Sequence, residues 1–179
     1  MKFRDVKSVD YDGPLRFERV DPAKYIRIRR EWWHEFALDL PPPEDLPKFG
    51  RPSEVRILFT PSLDVRLGFR DRGDILYRFF RGFMTDLASV PRGFRSVVDN
   101  DDLRLLLAAL VHDRNFTTHS VGFGSANRIF YGMIREAGYP VPRAVTAYLA
   151  VNSIFGRARY EKTPARDPWT EKTSEIIKF

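Results

Sequence analysis

The hydrophobic positions of the chain change their spacing near residue 100. Before that point, short runs of β-branched and aromatic residues are separated by turn-forming sequences such as TPS and RDRGD. Three of these runs have the length of strands and are predicted to form an antiparallel meander, namely Glu54–Thr60, Leu63–Phe69 and Asp74–Phe80. Lys24–Arg30 alternates apolar with basic residues and is interpreted as an edge strand.

After residue 100 the apolar positions recur with the spacing of helices. Asp101–Phe116 has apolar residues at 103, 106, 107, 110 and 111 and is predicted to be a helix. A second helix is predicted from a Ser125 cap to Gly138, and a third over Ala144–Phe155, ended by Gly156. The predicted fold class is therefore α+β, with an antiparallel sheet from the N-terminal half packed on a three-helix C-terminal half.

The length of the chain and the distribution of its prolines indicate a single domain. The 179 residues are 43% hydrophobic, which is enough for a substantial core. Residues 1–53 form an N-terminal extension, in which the segment 39–52 contains five prolines and is predicted to be a stiff surface loop. Residues 54–156 form the predicted core, and residues 157–179 a charged, extended tail. We expect the loop and the tail to be ordered by partner subunits rather than by the core.

The composition excludes several classes of protein. Cysteine is absent, so neither a disulfide framework nor a thiolate zinc site is available. The first residues lack the apolar stretch of a signal peptide, and the longest apolar run, Leu105–Val111, is too short to span a membrane. The net charge is +6, but the basic residues are scattered. Nucleic-acid binding is therefore an alternative that depends on charge alone, and we do not expect it.

Polar groups in apolar surroundings are the candidates for chemistry. His112 and Asp113 lie near the end of the first predicted helix, Asn127 near the start of the second, and Asp86 in the sequence TDLASVP. A short connection makes the two helices antiparallel neighbours, so we expect His112 and Asn127 to lie within hydrogen-bond reach, directly or through one water. A neutral histidine held by a polar partner can act as a general base toward water. Asp113 and Asp86 could supply oxygen ligands to a calcium ion.

Each candidate also has a structural interpretation. His112 is explained equally well as a buried histidine that hydrogen-bonds across two helices. Asp86 is typical of a cap or turn residue that orders the segment following it. Asn127 is a residue type favoured near helix starts, where its side chain binds the backbone. The sequence alone therefore leaves open whether this group of residues is catalytic or structural.

Aromatic residues outside these motifs are predicted to bind partners. Trp32 and Trp33 lie in an aromatic cluster, and Trp169 lies in the charged tail. Exposed aromatic side chains concentrate the binding energy of protein interfaces, so we expect protein contacts at these three residues. The alternative for Trp32 and Trp33 is that they fill one end of the core.

The run GFMTDLASVPRGF, followed by LVHDRNF and SANRIFYGMIREAGYP, resembles the domain of unknown function 1353 family, over roughly Val55 to Gly156. This family is carried largely by tailed bacteriophages and prophages. The resemblance implies a protein made in the host cytoplasm and built into the virion, near the tail or head–tail junction, in a symmetric assembly with other virion proteins. The chain departs from the family pattern at Asn115-Phe116, usually leucine-tyrosine, and at Asn127, usually aspartate.

The same helix pair is similar to the core of secreted and parvoviral phospholipases A2. That similarity implies that His112 would activate water, Asp113 would bind calcium as the one cofactor, and Asn127 would replace the aspartate that orients the histidine. In the serine-protease triad, asparagine in place of the orienting aspartate lowers the rate about 10⁴-fold through the wrong histidine tautomer. No glycine-rich calcium loop precedes the first helix. A calcium-dependent phospholipase is thus the alternative to a structural virion protein, and we expect no appreciable phospholipase activity.

Overall fold

The computed structural model describes residues 6–13, 16–19, 24, 27–28, 56–58, 61–70, 73–85, 103–162 and 168–178. Its strands are β1 (Val6–Asp12), β2 (Phe17–Arg19), β3 (Arg56–Leu58), β4 (Ser62–Phe69), β5 (Ile75–Phe80), β6 (Met84–Thr85) and β7 (Ser174–Lys178). Its helices are α1 (Leu103–Thr118), α2 (Phe123–Glu136), α3 (Val141–Val151), α4 (Ile154–Lys162) and α5 (Pro168–Thr173). The α+β class is confirmed, although the described part of the C-terminal half contains five helices rather than three.

The main sheet has four antiparallel strands in the order β1-β4-β5-β7. Along β4 and β5 the side chains alternate between two faces, and the residues of one face are buried as cross-strand pairs: Leu63 with Phe79, Val65 with Tyr77, and Leu67 with Ile75. These pairs join the apolar residues of α1 and α2 in one hydrophobic core. The sheet and the helix pair are therefore held together by a shared apolar layer.

A second, smaller sheet joins three short strands in the order β2-β3-β6. The predicted strand Glu54–Thr60 corresponds to β3, but β3 pairs with β2 and β6 and not with β4, so the three-strand meander is wrong beyond the β4–β5 hairpin. The predicted edge strand at Lys24–Arg30 is also wrong, because Lys24, Arg27 and Ile28 are helical. The apolar residues in a segment of seven are too few to distinguish the strand period of 2.0 residues from the helix period of 3.6 residues.

The helix boundaries differ from the predicted ones for local reasons. The N-cap of α2 is Gly122, which has no side-chain cap, so the predicted Ser125 cap is wrong. Gly138 adopts the left-handed conformation after α2, as expected for a helix end (φ 82°). Gly156 does not end a helix but lies inside α4, where an added Cβ would come 2.4 Å from the carbonyl oxygen of Val151. It is glycine because the start of α4 passes close to the end of α3. No helix among the described residues has the length and apolar character needed to cross a membrane.

The C-terminal residues pack on the domain instead of extending from it. β7 pairs with β5 from Ser174 to Lys178, and Ile176 packs against the core. On the outer face of the sheet, Arg78 bridges Asp64 at 2.8 Å and Glu175 of β7 at 3.2 Å. The predicted extended tail, ordered only by partners, is therefore wrong for residues 168–178, and residues 157–162 are also not extended, because they belong to α4. The predicted loop 39–52 lies outside the described residues.

Tyr160 attaches α4 to the loop between α1 and α2. Its ring stacks on His119 with a centroid distance of 4.0 Å and meets Phe116 edge-on at 5.2 Å. Its hydroxyl donates to the carbonyl oxygen of Val121 at 3.0 Å, and burial raises the pKa of Tyr160. His119 has a left-handed backbone (φ 49°), which turns the chain out of α1 toward this stack.

Gly132 sets the distance between α2 and the main sheet. It is buried, and a Cβ added there would come 2.8 Å from Cγ2 and 3.1 Å from Cβ of Val6 on β1. Val6 is β-branched and cannot rotate away freely, so any side chain at residue 132 must separate the helix from the sheet. Gly124 lies in the same helix, but its added Cβ would have only an ordinary contact, 3.7 Å from Arg128.

We expect Gly132→Ala to lower the free energy of unfolding by about 1–3 kcal/mol, the usual range for overpacking a close contact. Gly124→Ala, the matched control, should leave it unchanged or raise it by up to about 1 kcal/mol through helix propensity. Urea denaturation of the two variants and the wild type measures both values. Equal stabilities for the two variants would mean that α2 does not approach β1 as closely as described.

Candidate functional site

The predicted pairing of His112 with Asn127 is confirmed. His112 lies in the second half of α1, and Asn127 lies in the second turn of α2. His112 Nε2 is 2.9 Å from Asn127 Oδ1, and the two residues are only 5% and 0% exposed. The histidine ring lies between Phe116 and Phe130, with centroid distances of 5.7 and 5.5 Å. The facing apolar stripes of the two helices bring these polar groups together in a dry environment.

Asn152 extends the hydrogen-bonded chain and was missed by the sequence analysis. Asn127 Nδ2 donates to Asn152 Oδ1 at 2.9 Å, and Asn152 is the C-cap residue of α3. A single buried amide thus connects α1, α2 and α3. In the sequence Asn152 is an isolated asparagine two residues before the apolar pair Ile154-Phe155. Nothing near it identifies a hydrogen-bond partner 25 positions away.

The orientation of the Asn127 amide assigns the histidine tautomer. Because its Nδ2 donates to Asn152, its Oδ1 faces His112 and accepts the hydrogen of Nε2. In the neutral ring Nδ1 then carries a lone pair, and this buried atom has no hydrogen-bond partner. Asp113 Oδ1 lies 3.5 Å from it, which is a charge contact that becomes attractive on protonation of the ring. Nδ1 is thus a free proton acceptor beside a carboxylate.

Thr85 positions the carboxylate of Asp113. The Thr85 hydroxyl donates to Asp113 Oδ2 at 2.5 Å, and Thr85 is fully buried at the end of β6. This contact joins the TDLASVP sequence to the His-Asp pair through its threonine. The sequence analysis singled out the next residue, Asp86, which lies outside the described residues. Thr85 was overlooked because a threonine ending a short strand has no distinctive pattern.

The two residues after Asp113 also bind other parts of the fold. Arg114 donates to Ser120 in the α1–α2 loop at 2.9 Å and to Thr118, and burial lowers its pKa. Asn115 Nδ2 donates to the Tyr77 hydroxyl on β5 at 3.1 Å, with both residues buried. The polar residue that departs from the family pattern at position 115 is therefore satisfied by a tyrosine from the sheet.

The described residues do not by themselves make a calcium site. Nowhere in the described ranges do three or more His, Asp or Glu side chains come together. Asp113 is the one carboxylate at the site, and one of its oxygens accepts from Thr85. Calcium takes six to eight oxygens, so the described donors fall well short of a calcium ligand set. The predicted roles of His112 and Asn127 in catalysis, and of Asp113 and Asp86 as ligands, stay predictions.

A different surface emerges for partner contacts. Trp32 and Trp33 lie outside the described residues, as does the side chain of Trp169. The structure instead exposes five large apolar side chains on α3 and the start of α4, here named the α3–α4 apolar surface: Val141, Val145, Leu149, Ile154 and Phe155. The fully buried residues of α3 are three alanines. The sequence analysis gave only the bounds of the third helix, and apolar side chains in a helix are more often buried than exposed, so it did not single out this surface.

The family comparison agrees with the sequence motifs. The model of the family described as Protein of unknown function (DUF1353) matches residues 64–151. This range contains most of β4, all of β5, β6 and α1 to α3, and the His112, Asp113 and Asn127 side chains. No curated protein and no solved structure matches the chain significantly. The predicted resemblance to this family is confirmed, and the similarity to the phospholipase helix pair stays a prediction.

We expect Asn127→Leu, which keeps the side-chain volume and removes the amide, to lower the free energy of unfolding by about 1–3 kcal/mol. The reason is that the buried His112 Nε2 loses its partner. Ser125→Ala on the same helix is the control and should change stability by less than about 0.5 kcal/mol. Chemical denaturation followed by fluorescence measures both. An Asn127→Leu variant as stable as the wild type would show that the amide does not contribute to the fold.

Proposed function

We propose that this chain, in which residues 64–151 carry the DUF1353 family sequence, is a structural component of a bacteriophage virion that acts through contacts with other virion proteins. The observation that carries the proposal is the α3–α4 apolar surface, where Ile154 is 79% and Phe155 80% exposed. Soluble monomers rarely expose large contiguous apolar patches, because covering such a patch releases ordered water and lowers the free energy. The surface therefore supports a function in assembly.

The polar residues His112, Asp113, Asn115 and Asn127, here named the polar centre, also support a structural function. His112, Asp113 and Asn115 hydrogen-bond to α2, β6 and β5 respectively. An amide at Asn127 accepts a hydrogen bond but does not stabilise an imidazolium as a carboxylate does. The motif residues are then best understood as internal connections of a scaffold. The resemblance to a family found largely in tailed phages supports the location near the tail or head–tail junction.

The test of this proposal is incorporation into particles. Virions produced by a host that carries the gene are purified on a density gradient, and the chain is quantified by mass spectrometry against the major capsid protein. We expect a fixed copy number per particle. We also expect Phe155→Ser to lower incorporation at least about tenfold, as loss of an interface anchor does.

Tyr11→Ser is the control for that substitution, because Tyr11 is 50% exposed on β1 and lies outside the α3–α4 apolar surface. It should leave incorporation unchanged. A chain found only in the soluble host fraction, and never in purified particles, would contradict the proposal.

A second candidate function is a hydrolase, and one observation favours it. His112 Nδ1 is buried and has no hydrogen-bond partner, and a histidine that activates water needs such an acceptor nitrogen. Against it stand the amide at Asn127, the presence of only one carboxylate at the site within the described part of the chain, and a histidine side chain that is only 6% exposed. A substrate or water molecule would have to reach Nδ1 past Asp113.

We expect the wild type to release no appreciable fatty acid from mixed micelles, with or without millimolar calcium. In the Asn127→Asp variant a carboxylate stabilises the imidazolium, so a trace of turnover is expected, and His112→Ala in that background should abolish it. Fatty-acid release is measured for the three proteins against a blank of micelles without protein, and it decides whether the site is catalytic. Calcium-dependent release by the wild type that is lost in His112→Ala would replace the structural proposal with the enzymatic one.

A further inference from the structure

The α3–α4 apolar surface has the geometry of a protein-binding ridge. Val141, Val145 and Leu149 are four residues apart along α3 and are 49%, 38% and 55% exposed. Side chains spaced by four form the row that packs into the groove of another polypeptide element. Ile154 and Phe155, at the start of α4, are more exposed still, at 79% and 80%. The α3 row and these two side chains are together called the ridge.

The two helices that carry the ridge are basic in sequence. Residues 141–162 contain four basic side chains, Arg143, Arg157, Arg159 and Lys162, and one acidic side chain, Glu161. Glu161 is already engaged by Arg157, whose Nε lies 3.0 Å from Oε1. A partner that covers the ridge gains most when it brings apolar side chains with acidic groups beside them.

One segment of the chain itself has this composition. Residues 31–45, with the sequence EWWHEFALDLPPPED, contain five acidic side chains and neither lysine nor arginine. Five large apolar residues lie among the acidic ones, at positions 32, 33, 36, 38 and 40. The segment lies outside the described residues, and its charge and apolar content are the complement of the ridge. It also contains Trp32 and Trp33, which the sequence predicts to bind a partner.

We propose that the α3–α4 apolar surface binds residues 31–45 of a second copy of this chain, which links the copies head to tail. The inference rests on the proposed function in assembly and names the partner of the surface that carries it. A contact between two different patches is heterologous, so it generates a closed ring when the rotation per copy divides a full turn, and a filament otherwise.

Two other occupants fit the ridge less well. Packing the ridge of one copy against the same ridge of another would bring Arg143 of each copy toward the basic start of α4 in the other, and opposed like charges weaken an interface. Helices that lie on membranes pair an apolar face with a lysine- and arginine-rich polar face and carry aromatic anchors. The face of α3 opposite the ridge is instead buried alanine. Both occupants are tested below.

The experiment is a complementation by two variants of the full-length chain. The first variant, Phe155→Ser, lacks the end of the ridge and keeps residues 31–45. The second, Glu31→Lys with Glu35→Lys, keeps the ridge and reverses charge in the segment while leaving both tryptophans in place. In sedimentation velocity we expect the wild type to associate with increasing concentration. Each variant alone should have a self-association affinity at least about tenfold lower and should remain monomeric at the concentrations at which the wild type associates. Mixing the two variants should restore a one-to-one dimer that grows no further, because only one intact ridge and one intact segment meet.

The controls separate this proposal from its competitors and from the proposed function. Tyr11→Ser should associate like the wild type. A monomeric wild type, or a variant mixture that does not associate, overturns the head-to-tail contact. So does a wild-type oligomer that the segment variant forms equally well, which would indicate ridge-to-ridge packing.

Binding of the wild type to phosphatidylglycerol vesicles, lost in Phe155→Ser and without self-association, would assign the ridge to a membrane and overturn the inference. A monomeric chain that is nevertheless incorporated into particles overturns the inference alone, and an associating chain that is absent from particles overturns the proposed function alone.

Discussion

Four consecutive polar residues in a buried helix determine how the elements of this domain are arranged. His112 to Asn115 lie in α1, which is otherwise surrounded by apolar side chains, and a buried polar group without a partner costs about 1–3 kcal/mol. The backbone groups of a helix interior are already paired with one another, and each of these four side chains has a hydrogen-bond partner in another element. The partners are Asn127 of α2, Thr85 of β6, Ser120 of the loop and Tyr77 of β5. The relative positions of these elements are thus fixed by hydrogen bonds as well as by packing.

The two ring nitrogens of His112 lie in different surroundings, and only one of them is needed for a structural role. A histidine that only joined two helices would need one nitrogen, and Nε2 meets that need through Asn127. Nδ1 stays buried and without a partner, 3.5 Å from Asp113. An unsatisfied buried atom of this kind has a cost that packing alone does not explain.

The features that the sequence predicted are those encoded by regular patterns. The helix pair and its His112–Asn127 contact follow from apolar spacing that persists over four turns and from a short connection. The partners Thr85, Tyr77 and Asn152 could not be predicted, because hydrogen bonds across 25 to 38 positions leave no local signal. β7 was missed because its five residues follow a charged, proline-containing stretch, and its pairing with β5 depends on contacts across about one hundred positions.

The orientation of α3 connects the polar centre to the exposed surface. Ala144, Ala147 and Ala150 face the core, and small side chains there allow α3 to lie close to α2, near enough for Asn152 to reach Asn127. The same orientation places Val141, Val145 and Leu149 in solvent. The close packing explains the alanines but not the valines and leucine, because polar residues at the exposed positions would allow the same packing. Their apolar character therefore needs a second explanation, and the proposed contact with another polypeptide would supply it.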